Sequence, residues 1–164
     1  MTFVAAIQSG FRNYANFKGR ASRSEFWWWT LFTVLIQAAT SGFGDTIGGL
    51  VSLAVLLPSF AVHVRRLHDT DRSGWWMTAP LIAIAVAVIG LITFGVLTAF
   101  DGVDGSEWDP STAFEGISAF SIVFIVVAAL AAIVLGLVNL AFLIQRSQAD
   151  ANRFGPPPPP RVAT

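Results

Sequence analysis

Four long apolar stretches constrain this chain more than any other feature. They cover residues 26–43, 47–64, 75–100 and 117–144, and none contains Lys, Arg, Asp or Glu. At 1.5 Å rise per helical residue, the two shorter stretches reach about 27 Å and the longer two about 40 Å, against a bilayer core of about 30 Å. The chain is 54% hydrophobic and only 12% charged, which is far from a soluble composition. The pattern predicts an all-α membrane protein with four transmembrane helices arranged as two hairpins.

The basic residues predict which side of the membrane each end occupies. All ten Lys and Arg lie before the first stretch, between the second and third, or after the fourth. The positive-inside rule assigns these regions to the cytoplasm. Residues 1–155 are then a single four-span domain with both termini cytoplasmic. Residues 101–116 form an acidic extracytoplasmic loop, and residues 156–164 form a proline-rich cytoplasmic tail.

The residues before the first apolar stretch predict a short amphipathic helix on the cytoplasmic face. Apolar residues recur there at helical spacing, namely Phe3, Ile7, Phe11 and Tyr14. A signal peptide is not expected, because no apolar core follows a basic start. The tetrapeptide "SRSE" is typical of a capping box, in which Ser22 caps the first span and Glu25 reaches back.

Five of the six tryptophans lie where the chain is expected to enter lipid from the cytoplasm. Such amphipathic rings favour the headgroup level of a bilayer. The sequence therefore predicts that they are interface anchors, with cation–π recognition of a ligand as the alternative. These residues are Trp27, Trp28, Trp29, Trp75 and Trp76.

The stretch "HVRRLHDTDRSGWW", residues 63–76, concentrates the ionisable groups of the chain in one predicted cytoplasmic turn. Arginines near lipid can bind anionic headgroups or a partner, and the candidates are Arg20, Arg23, Arg65, Arg66 and Arg72. The alternative is an internal polar network that fixes the turn against the first helix. Its candidate members are Glu25, His68, Asp69, Asp71 and Ser73.

Metal binding and catalysis have weaker sequence support. His63 and His68 are five residues apart, unlike the pair of a His-Glu-x-x-His metal site. Ser73 near His68 and Asp69 supplies the residue types of a nucleophilic triad, but no strained elbow motif surrounds it. The chain has no cysteine and a net charge of zero. We expect no metal, no cofactor and no nucleic-acid partner.

Three ordered motifs resemble those of a widespread bacterial membrane family. They are "FKGRASRSEFWWW" at residues 17–29, "PSFAVHVRRLHDTDRSGWW" at 58–76 and "NRFGP" at 152–156. The family is domain of unknown function 805, small inner-membrane proteins of four predicted spans. The resemblance implies a multi-pass protein of the bacterial plasma membrane, and it implies no biochemical activity.

We expect a non-enzymatic scaffold or accessory protein whose arginine-rich cytoplasmic face binds anionic lipid or a partner. A second copy of the chain and another membrane protein both remain open as partners. The alternative is a small transporter or channel component, although its spans lack the internal charges usual in coupled transport. A membrane enzyme that uses His68 and Asp69 is the third hypothesis.

Overall fold

A computed structural model describes residues 1–101 and 119–158 of the chain, and its regular elements there are helices. The five α-helices in these ranges confirm the all-helical class. Single 3₁₀ turns at Ser41–Phe43 and Gly74–Met77 precede the third and fourth helices. The α-helices are α1 (Phe3–Arg12), α2 (Arg23–Thr40), α3 (Asp45–Asp69), α4 (Ala79–Asp101) and α5 (Ala119–Ile144).

Two helices in the described part of the chain are long and apolar enough to cross a membrane. They are α3 and the Val123–Ile144 portion of α5, and α4 adds a shorter apolar segment at Ala79–Thr93. Only 6% of the most apolar window of α5 is buried inside the protein, so most of its side chains need an apolar solvent. The structure therefore supports a membrane protein, while the four-span count and its hairpins stay a prediction.

The chain divides into two compact units, Met1–Met77 with Leu140–Thr164, and Thr78–Asn139. In the second unit α4 and α5 approach closely where Gly90 meets Phe124. A Cβ atom added at Gly90 would lie 2.3 Å from Cε1 of Phe124. The missing side chain is thus what permits this contact, as is common between apolar helices.

Helix α1 packs one face against α2 in the first unit. Ala6 and Gly10 are buried on that face, and a Cβ at Gly10 would lie 2.1 Å from Cζ3 of Trp29. The ring of Phe11 meets the same tryptophan edge-on at 5.3 Å between centroids. The amphipathic helix predicted at the N-terminus is present, but part of its apolar face covers protein instead of facing lipid.

The core of the first unit is a cluster contributed by α2, α3 and the end of α5. Its buried members are Phe26, Trp29, Val62, Leu67 and Leu143. Trp29 is 2% exposed, and its Nε1 donates to Oγ of Ser59 at 3.0 Å. The structure therefore gives Trp29 a core position, unlike the interface position predicted for it. The other four predicted anchors, Trp27, Trp28, Trp75 and Trp76, are exposed.

Helix α3 extends further than the apolar pattern indicated. The stretch 47–64 predicted a span that ends before Arg65, whereas the helix continues to Asp69. It continues because its last two turns are buried, with Arg65, Arg66 and Leu67 among the least exposed residues of the first unit. Half of the predicted cytoplasmic turn is thus helical.

Candidate functional site

Asp69, the last residue of α3, is the centre of a buried ionic cluster. Its Oδ1 accepts from Nε of Arg20 at 3.0 Å, and its Oδ2 accepts from Nη1 of Arg66. The side chains of all three residues are fully buried. Two buried guanidinium groups therefore share one buried carboxylate as their counter-ion.

A second buried ion pair joins α2 to α3 nearby. Nη1 of Arg65 donates to Oε1 of Glu25 at 3.1 Å, and Oγ of Ser9 donates to the same oxygen at 2.8 Å. Ser22 caps α2 as predicted, since its side chain accepts from the Glu25 N–H at 3.2 Å. The Glu25 carboxylate is thus used to bind α1 and α3 to the start of α2. We call the five ionic residues Arg20, Glu25, Arg65, Arg66 and Asp69 the arginine junction.

Arg65 carries more hydrogen-bonding capacity than the junction uses. Its Nε and Nη2 atoms are buried, and no described residue accepts a hydrogen bond from them. Its backbone oxygen accepts from the N–H of Ala21 at 2.9 Å, which holds the segment before α2 against the end of α3. Arg65 is therefore enclosed by the fold and out of reach of a headgroup.

Arg66 and Arg20 donate to backbone carbonyls at the end of α5 and in the segment after it. The last four carbonyls of a helix lack partners within it. Nε of Arg66 donates to the Leu143 carbonyl at 3.0 Å, and its Nη2 donates to that of Gln145. Nη1 of Arg20 donates to the Asp150 carbonyl at 2.7 Å. The arginine junction thus caps α5 and binds the segment after it.

His68 connects the three sequence motifs. Its ring stacks on Phe154 with centroids 3.8 Å apart and an interplanar angle of 4°. Nδ1 lies 3.3 Å from the Gly19 carbonyl oxygen, and Nδ2 of Asn152 donates to the His68 carbonyl at 2.9 Å. The ring therefore joins the segment before α2 to the segment after α5.

The other predicted network members lie at the edge of this arrangement. Oδ1 of Asp71 lies 3.2 Å from Nε of Arg153. The two side chains are partly exposed, although Oδ1 itself is buried and accepts no hydrogen bond from the described residues. Oγ of Ser73 accepts from the Trp75 N–H at 3.4 Å, so it caps the 3₁₀ turn. No hydrogen bond joins Ser73 to His68 in the described ranges. The candidate triad is not assembled there.

No group of three or more potential metal-ligating side chains occurs among the residues that the structure describes. His63 lies against the ring of Phe26, with centroids 5.5 Å apart. His68 stacks on Phe154, and Asp69 accepts from Arg20 and Arg66. The acidic loop at residues 101–116 lies almost wholly outside the described residues.

Beside the junction is an open groove of about 500 Å³. Nη1 of Arg72 donates to Oε1 of Gln145 at 2.8 Å, and its Cζ lies 3.8 Å above the ring of Phe142. The groove is lined by Thr70, Asp71, Arg72, Gln145, Arg146 and Gln148.

The five arginines predicted to bind lipid or a partner thus fall into two classes. Arg20, Arg65 and Arg66 are buried in ion pairs, whereas Arg23 is exposed and Arg72 lines the groove. Their burial removes the first three from any surface that a headgroup can contact. All five residues are arginines, and their sequence context does not distinguish them. Which of them are buried depends on which helix ends pack together in the fold.

Sequence reasoning also missed part of the site. Ser9, Gln145 and Gln148 carry no motif or charge, so nothing in the sequence indicated them. The motif "NRFG" was noticed only as a family resemblance, although Asn152 and Phe154 hold His68. The aromatic residue of this motif, Phe154, is the sequence signal that could have indicated the contact with His68.

Comparison with known proteins identifies the family. A family model described as "Protein of unknown function (DUF805)" matches residues 14–110. The chain belongs to the DUF805 family. The matched range contains the whole arginine junction, and it ends before the α5 carbonyls that the junction caps.

Members of the DUF805 family in Escherichia coli (strain K12) are similar over part of this chain. Inner membrane protein YhaI is 36% identical over 103 residues, which cover 58% of this chain and 84% of YhaI. Inner membrane protein YhaH is 39% identical over 85 residues, which cover 43% of this chain and 68% of YhaH. No solved structure matches the chain. Inner-membrane relatives and the apolar helices agree on a membrane protein.

Proposed function

We propose that the protein is a non-enzymatic scaffold or accessory protein of the inner membrane that binds anionic phospholipid at its cytoplasmic face. It crosses the membrane four times as two hairpins, with both termini in the cytoplasm. One observation carries the proposal: the buried arginines are held in ion pairs within the fold, and a separate set of cations remains available. This basic rim consists of Lys18, Arg23, Arg72 and Arg146.

The basic rim lies at the end of the first unit where α2 begins and α3 and α5 end. No acidic side chain among the described residues forms an ion pair with any of its four members. Uncompensated cations near a membrane surface attract anionic lipid by about 1 kcal/mol each. Exposed tryptophans adjoin the rim, with Trp27 and Trp28 after Arg23 and Trp75 after Arg72. Aromatic rings of this kind lie at the depth of the headgroups.

A structural use of the signature motif supports a non-enzymatic function. Asp69, Glu25 and His68 each bind groups that hold helix ends together. Their contacts account for the acidic residues and the histidine without a reaction. Substitution of Asp69, Glu25 or His68 is therefore expected to destabilise the fold.

Lipid selectivity is the test of this proposal. The protein, purified in mild detergent, is mixed with equimolar phosphatidylglycerol and phosphatidylcholine, and bound lipid is counted by native mass spectrometry. We expect phosphatidylglycerol to be enriched on the wild type and not on a variant with all four rim cations changed to glutamine. Equal binding of the two lipids to the wild type would contradict the proposal.

Orientation is tested separately with alkaline phosphatase fusions. A fusion at Thr70, in the turn after α3, should be inactive because the enzyme stays in the cytoplasm. A fusion at Gly105, outside the described residues, should be active. The reverse pattern would place the basic rim on the wrong side of the membrane for this proposal.

A further inference from the structure

We infer that the groove beside the arginine junction is a binding site for a phosphate group, with Arg72 and Arg146 as its ligand-binding cations. The inference rests on the proposed function and narrows it from a whole face to one site. The groove has a volume of about 500 Å³, within the range of sites that hold small molecules and headgroups. The turn after α3 and the segment after α5 form its two walls.

Arg72 is held in place before any ligand arrives. Its Nη1 donates to the Gln145 side chain at 2.8 Å and to the Thr70 carbonyl at 3.2 Å. Its Cζ atom lies 3.8 Å from the centroid of the Phe142 ring, a cation–π contact that arginine favours. A fixed guanidinium loses little conformational entropy when it binds.

The rest of the Arg72 guanidinium is available to an acceptor. The hydrogen bonds that Arg72 makes to described residues all use Nη1, so Nε and Nη2 keep their donors. These two nitrogens are not among the buried unpaired atoms, in contrast to those of Arg65. Adjacent N–H groups of one guanidinium match two oxygens of a phosphate. Arg72 thus offers one free edge of the correct geometry.

The charge of the groove favours an anion. Asp71 is the acidic residue in its lining, and its Oδ1 lies 3.2 Å from Nε of Arg153 in an ion pair without a hydrogen bond. Arg72 and Arg146 form no ion pair with the described residues. The partial negative charge of the α5 C-terminus is offset as well, because Arg66 donates to the Leu143 and Gln145 carbonyls. Two positive charges therefore remain uncompensated.

The groove is also placed to reach a lipid headgroup. Trp75 follows Arg72 by three residues and is 76% exposed. The neighbouring Trp76 ring meets Phe142 edge-on at 5.1 Å, so the aromatic floor under Arg72 continues toward the tryptophans. A phosphate at Arg72 is thus adjacent to side chains that favour the membrane interface. A phosphodiester of an anionic lipid and free inorganic phosphate share the chemistry that this site recognises.

The experiment measures phosphatidylglycerol binding to the purified full-length chain by native mass spectrometry at about 0.5 M NaCl, where the Debye length of a few ångströms suppresses diffuse attraction. The test variant is R72Q/R146Q, and the control R12Q removes an exposed arginine that lies outside the basic rim. Loss of each groove arginine should weaken binding about fivefold, because it removes a hydrogen-bonded contact to the phosphate of about 1 kcal/mol, which salt screens less than diffuse attraction. The double variant should therefore lose roughly 25-fold, and the control less than about twofold at this salt concentration.

Two further variants separate binding from folding. Arg146 is exposed and forms no ion pair with the described residues, so R146Q removes no salt bridge of the fold and its effect reports on the ligand. R72K keeps the charge but not the planar group, and it should recover only part of the affinity. Competition with sodium phosphate distinguishes the two sources of the phosphate group, a lipid headgroup and free inorganic phosphate. Displacement of lipid by millimolar phosphate shows recognition of the phosphate alone, and resistance shows that the lipid is required.

The inference and the proposed function fail in different ways. If the wild type binds phosphatidylglycerol and phosphatidylcholine equally, both are overturned. If the wild type prefers phosphatidylglycerol and R72Q/R146Q keeps that preference at high salt, the groove assignment is overturned and the wider proposal stands.

Discussion

Asp69→Asn is the substitution that probes the arginine junction most sharply. The change keeps the size of the side chain and removes the one negative charge shared by Arg20 and Arg66. All three side chains are fully buried, so water cannot replace the missing carboxylate. Loss of one partner from a buried pair costs about 3–5 kcal/mol, because an uncompensated charge remains. Here two guanidinium groups lose their counter-ion at once.

Thermal unfolding in mild detergent, followed by tryptophan fluorescence, measures this loss. About 1 kcal/mol corresponds to roughly 2–4 °C in the Tm of a chain of this size. The Tm of the Asp69→Asn variant should therefore fall by about 6–20 °C. Asp71→Asn is the matched control, since it makes the same chemical change two residues along the chain. The Asp71 pair with Arg153 is partly exposed and contributes about 0–1 kcal/mol, so its Tm should change by no more than about 4 °C.

A double variant tests whether the charges act as one cluster. Arg20→Gln removes one of the two guanidinium groups that Asp69→Asn leaves unpaired. The pair of substitutions should therefore cost less than the sum of the single costs, by more than about 0.5 kcal/mol. If Asp69→Asn melts like Asp71→Asn, or if the two costs simply add, the cluster is not the energetic centre of this helix end.

Two other substitutions test the packing around the junction. Gly10→Ala should destabilise by about 1–3 kcal/mol, because the new Cβ would lie 2.1 Å from Trp29. Gly48→Ala, with nothing within 4 Å, should leave the Tm unchanged or raise it, and equal effects at both glycines would refute the close contact. Phe154→Ala removes the ring stacked on His68 and should speed limited proteolysis within residues 145–158. Cleavage at the wild-type rate would show that this stack does not secure the segment.

Much of the helical framework could be predicted from the sequence, because it depends on local pattern and composition. Apolar length located α2 to α5 approximately, and "SRSE" located the cap of α2 at Ser22. The amphipathic period at the N-terminus located α1. These features need only the order of nearby residues, and no knowledge of which helices meet.

The pairing of charges could not be predicted, because it depends on contacts between distant segments. Arg20 and Asp69 are 49 residues apart, so no local pattern indicates that the two residues pair. The sequence does not distinguish Trp29 from its tryptophan neighbours, although the absent side chain of Gly10 makes room for Trp29 in the core. Caps on the α5 carbonyls involve backbone atoms, which every residue has. Hydrogen bonds to backbone carbonyls therefore have no sequence signature.

A photo-crosslinking residue in place of Gln148 tests the central claim most directly, because it reports what occupies the groove in native membranes. Gln148 lines the groove, and Leu50 on α3, which is 64% exposed, is the matched control position. Mass spectrometry of the crosslinked protein should find mainly anionic phospholipid at position 148 and the bulk lipid mixture at position 50. Bulk lipid proportions at both positions, or a protein crosslink at 148 in place of lipid, would contradict the account.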